Sequence, residues 1–113
     1  MGGNTLLHMA TLEPERIEAM VVVSATMYFP EEARAIMRQI PAAREQTPRI
    51  KASTLIVYGD RDPLYPVEMA VAKHRAIPRS ALWVVPNSGH GPVFFDAAIQ
   101  FAQTALVFLR TSA

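Results

Sequence analysis

Leu55-Ile56-Val57-Tyr58-Gly59-Asp60-Arg61-Asp62-Pro63-Leu64-Tyr65-Pro66 decides the fold. An apolar, β-branched run breaks off in a tight polar turn that carries two carboxylates. Thr54 to Tyr58 reads as a strand covered on both faces, because a half-exposed strand would alternate apolar with polar residues. The same pattern recurs downstream, where Ala81-Leu82-Trp83-Val84-Val85 runs into Pro86-Asn87-Ser88-Gly89-His90. One turn presents an acid and the other a histidine. On neighbouring parallel strands both groups emerge at the carboxyl end of the sheet, where α/β folds carry their functional groups. A carboxylate and an imidazole placed there can form the base half of a nucleophile–His–acid triad.

Outward from these strands the pattern alternates. Ala19 to Ala25 is a further continuous apolar run and predicts a third strand. Leu6, Leu7 and Ala10 lie at helical spacing in a predicted helix over Asn4–Leu12, which Glu13-Pro14-Glu15 ends. Pro30-Glu31-Glu32 opens another helix, with Ala33, Ile36, Met37 and Ile40 as its apolar face. Pro66 to Ala76 reads as a helix with Lys73, His74 and Arg75 in the last turn, where the dipole favours positive charge. Asp96 is a candidate N-cap for a final helix to Arg110, with Ala98, Phe101, Ala102, Ala105, Leu106 and Leu109 facing inward. Strands alternating with helices predict an α/β domain with a three-stranded parallel sheet and flanking helices.

The bulk properties narrow the function. The 113 residues suffice for one domain with a modest core. A formal charge of +1 with scattered Lys and Arg gives no basis for nucleic-acid binding. No apolar run is long enough to span a membrane. The absence of cysteine excludes disulfides and thiolate chemistry and suits a cytoplasmic protein. The histidines His8, His74 and His90 show no metal-ligand spacing, so no metal and no cofactor are expected.

The chain resembles the C-terminal part of an α/β-hydrolase. Members of that superfamily carry the acid in a Gly-x-x-Asp-x-x-x-Pro turn, which maps onto Gly59, Asp62 and Pro66. Their histidine follows the last strand, often after glycine, as in Gly89-His90. Met1-Gly2-Gly3-Asn4-Thr5-Leu6 resembles the second half of the Gly-x-Ser-x-Gly nucleophile elbow, which opens a helix. The resemblance implies a single truncated domain over residues 1–113 that starts one residue past the nucleophile. It implies ester, amide or related acyl-bond hydrolysis of a small molecule in a full-length relative. His90 would be the general base, Asp62 the acid that orients it, and Met1 the residue whose backbone N–H served the oxyanion hole.

Several alternatives stay open. Asp60 could take the acid role, although its offset from Gly59 and Pro66 favours Asp62. Asp62 could simply cap a turn. None of Ser24, Ser53, Ser80, Ser88 and Ser112 lies on a strand-to-helix elbow between glycines, so none is expected to be a nucleophile, and the chain alone is expected to be a very poor enzyme. His8 and His74 read as structural or solvent-facing, and Trp83 as core. Tyr28 and Phe29 fall where the superfamily places its pocket or lid. A non-catalytic module that self-associates, or pairs with a separate N-terminal half, is the competing reading; a small flavodoxin-like binding domain is a third. With no elbow strand beside it, strand Met20–Ala25 would offer an apolar edge. The helix beside it would leave Leu6, Leu7 and Met9 partly uncovered. Both features predict a two-fold homodimer.

Overall fold

The structure is a computed structural model and describes residues 2–24, 49–93 and 97–112. Helix α1 (Gly2–Leu12) is followed by a short 3-10 turn at Pro14–Arg16 and strand β1 (Ala19–Val23). Strand β2 (Ser53–Gly59), helix α2 (Val67–Ala76), strand β3 (Ser80–Val85) and helix α3 (Ala98–Ser112) complete the described elements. The strands form one parallel sheet in the order β1-β2-β3. In register, Val22 pairs with Ile56 and Ile56 with Leu82. The central strand is β2, and every one of its residues is buried, as its unbroken apolar run requires. Among the described residues, no helix is long and apolar enough to cross a membrane.

Strand alternation divides the core in two. Met20, Val22, Ile56 and Tyr58 point to one face and pack with Leu7 and Ala10 of α1 and with Ala70 of α2. Val21, Val23, Leu55, Val57, Trp83 and Val85 point to the other face, which Phe101 and Phe108 of α3 cover. Trp83 stacks on Phe101 with ring centroids 6.4 Å apart. Leu7 is fully buried, which corrects the expectation that it would be partly uncovered. At about 1.5–3 kcal/mol for a buried leucine, it anchors α1 to the sheet. Met9 and Leu12 point outward and are exposed.

The last helix also departs from expectation. Ala98, Ala102, Leu106 and Leu109 are exposed, whereas Phe101 and Phe108 face the sheet with the buried Ala105. The apolar arc of the helix covers about half its circumference, from Phe108 and Phe101 through Ala98 and Leu109 to Leu106, so spacing alone cannot choose which part of the arc faces inward. The aromatic stripe wins because it meets Trp83. In α2, Lys73 is buried, with Nζ 6.0 Å from the centre of the Tyr58 ring. That is the outer limit of a cation–π contact, and burial pushes the ammonium pKa down to about 8. His74 has the structural role expected of it: Nδ1 lies 2.9 Å from Ser80 Oγ, tying the end of α2 to the start of β3. Met1, Ala25, Tyr28, Phe29, the helix predicted from Pro30 and the Asp96 cap lie outside the described residues.

Candidate active site

At the carboxyl end of β2 the chain turns sharply, and the Asp62 N–H donates to the Gly59 carbonyl at 3.3 Å. Asp62 then organises its own surroundings. Its Oδ1 accepts the backbone N–H groups of Leu64 at 2.7 Å and Tyr65 at 3.0 Å. Aspartate favours such Asx-type turns because its short side chain reaches the backbone two and three residues on. Pro63 helps by holding Asp62 away from the helical region. Pro66 then occupies the N-cap position of α2.

The other carboxylate oxygen, Oδ2, lies 2.9 Å from Nδ1 of His90, 28 residues downstream. An ionised carboxylate only accepts hydrogen bonds, so Nδ1 is the donor and Nε2 carries the free lone pair. The Asp62 side chain is completely buried, while 45% of the His90 side chain is exposed. The Tyr65 ring stands edge-to-face against the imidazole, with centroids 5.1 Å apart. The result is a shielded acid beneath an accessible imidazole.

Asp60, the alternative acid, does something else. Its Oδ1 accepts the Ser88 backbone N–H at 3.1 Å, and the Arg61 N–H donates to the Ser88 carbonyl at 2.9 Å. These bonds staple the histidine loop to the acid turn. Gly59 permits the close approach, since a Cβ there would stand 2.1 Å from the Gly89 carbonyl oxygen. Asn87 adopts the left-handed region with φ 56°, which asparagine tolerates better than most residues. Ser24, just past β1, donates from Oγ to the His90 carbonyl at 2.6 Å. Sequence reasoning weighed Ser24 only as a nucleophile, and nothing in its local pattern marks it as a partner of the histidine loop.

The family comparison agrees with this architecture. The model of the α/β-hydrolase family described as TAP-like protein matches residues 28–111. The chain belongs to the α/β-hydrolase superfamily. Solved hydrolases share its fold. A predicted CIB-like hydrolase from Thermoplasma acidophilum is 21% identical with a TM-score of 0.76, covering 96% of this chain and 46% of its own. A meta-cleavage product hydrolase from Pseudomonas fluorescens is 15% identical with a TM-score of 0.81, covering 98% of this chain and 62% of its own. A serine hydrolase involved in carbazole degradation is 22% identical with a TM-score of 0.77, covering 97% of this chain and 60% of its own. The chain therefore spans only 46% to 62% of the length of those relatives. No curated protein matches it.

Proposed function

We propose that this chain supplies the acid and the general base of a serine-hydrolase triad acting on an ester, amide or related acyl bond. The 2.9 Å contact between Asp62 Oδ2 and His90 Nδ1 carries the reading. With Nδ1 committed to the acid, Nε2 takes the proton of an attacking hydroxyl and later returns it to the leaving group. The buried carboxylate stabilises the imidazolium in between. The nucleophile, and the oxyanion N–H other than that of Met1, would come from the part of the hydrolase fold that these residues do not span. Three serines within the chain are otherwise engaged: Ser24 donates to the His90 carbonyl, Ser80 to those of His74 and Ile77, and Ser88 to that of Pro86.

A fluorophosphonate probe together with p-nitrophenyl acetate tests this assignment. The 113-residue chain is expected to show no serine labelling and no acyl burst, with ester turnover at the level of imidazole chemistry and lowered by His90→Ala. Stoichiometric labelling of a serine within the chain would overturn the proposal. The competing reading, a self-associating module, draws on one observation. Among the described residues β1 pairs only with β2, and a strand edge of that kind is where a second copy would pair. Light scattering on the purified chain tests this, since a two-fold dimer has twice the 12.5 kDa chain mass.

A further inference from the structure

We infer that Ser24 is a positioning residue for His90, an inference that rests on the acid–base reading of the Asp62–His90 pair. Ser24 stands one residue past β1 with φ 48°, a conformation that residues other than glycine and asparagine adopt reluctantly. Strained backbone at the carboxyl end of a sheet points to a functional constraint. The backbone here is firmly set, because the Ser24 N–H donates to the Val57 carbonyl at 2.8 Å and extends the β1–β2 pairing by one step. The hydroxyl of Ser24 then reaches the His90 carbonyl at 2.6 Å. Ser24 is buried, so water competes poorly for that bond.

The bond acts where the other loop contacts do not. Asp60 and Arg61 hold the histidine loop at Ser88. Ser24 holds residue 90 itself, at the peptide group that sets the direction of its Cα–Cβ bond. His90 is thus tethered twice, through its carbonyl to Ser24 and through Nδ1 to Asp62. With the first tether gone the loop keeps its course to Ser88, but the ring loses its fixed approach to the carboxylate. Small misplacements of this kind are expensive in catalysis.

Nitrogen-15 NMR of the His90 ring in the 113-residue chain tests the inference, with Ser24→Gly and Ser24→Ala as the variants. The wild-type ring is expected to hold its proton on Nδ1 and to exchange it slowly with solvent. Ser24→Gly relieves the backbone strain, so its unfolding midpoint should equal or exceed that of the wild type. Its Nδ1 proton should nonetheless exchange about fivefold faster, the factor that one hydrogen bond's net worth corresponds to, with the tautomer balance moving toward Nε2–H. Ser24→Ala should give the same ring signature with a lower midpoint. A ring unchanged in both variants overturns the inference, whatever the midpoints do. Asp62→Asn separates the two levels. If it leaves the ring tautomer as in the wild type, the acid–base pair itself fails and the positioning role falls with it.

Discussion

The acid turn and the histidine loop meet across 2.9 Å, yet they are built on opposite plans. Asp62 is held by its own neighbourhood: one oxygen takes two N–H groups from the next three residues, and the side chain is fully enclosed. His90 is held from a distance, through a loop clamped by Asp60 and Arg61 and a carbonyl gripped by Ser24. The acid is therefore prepared locally, and the base is prepared by tertiary structure. A pair of this kind can lose the alignment of its base while its acid stays in place. The reverse does not hold, because the loop leans on the turn.

Substitutions can break that asymmetry or sharpen it. Asp62→Ala should have the largest effect, about 3 kcal/mol or more in urea unfolding, because two backbone donors and the imidazole lose a charged acceptor together. Lys73→Met tests the support beneath Tyr58, next to the start of the turn. The folded-state pKa, lowered from 10.5 to about 8, means the buried ammonium opposes folding in full below pH 8. The penalty fades as pH rises through 8 and is gone above 10.5. The variant should thus gain roughly 3 kcal/mol at pH 7 and nothing at high pH, as read from unfolding curves across that range.

Gly59→Ala should cost about 2 kcal/mol, since the added methyl collides with backbone of the histidine loop and forces the two turns apart. Its His90 ring signals should change as well. Asp60→Ala should cost about 1 kcal/mol by removing the acceptor at Ser88, with the Asp62 turn undisturbed by backbone chemical shifts. Gly89→Ala should be smallest, within about 0.5 kcal/mol of wild type, because a Cβ there meets nothing within 4 Å. A large loss at Gly89, or none at Gly59, would reverse the picture of which loop does the supporting.

The same asymmetry explains what the sequence could disclose. The acid turn is legible because its determinants are contiguous: Asp62, Pro63 and Pro66 each act within a few residues. The three strands are legible because covered parallel strands are unbroken apolar runs. Gly59 and Gly89 both read as motif glycines, yet of the two it is Gly59 where the packing excludes a Cβ. Nothing near Ser24 in the chain reveals a partner 66 residues away. The inner face of α3 is hard to read because its apolar arc is wider than the surface the sheet offers, and the choice rests with Trp83 across the interface. Lys73 reads only as a favourable charge at a helix end, and it is the position of α2 over Tyr58 that buries it.

Trp83 is the only tryptophan in the chain, and it lies flat against Phe101 on the α3 side of the sheet. The molecule therefore carries a native optical probe. Its emission reports directly on the seating of the last helix through the Phe101 stack, while the His90 ring-proton signals follow the histidine loop. Detachment of the helix and loosening of the base can thus be timed separately in one sample, without an added label.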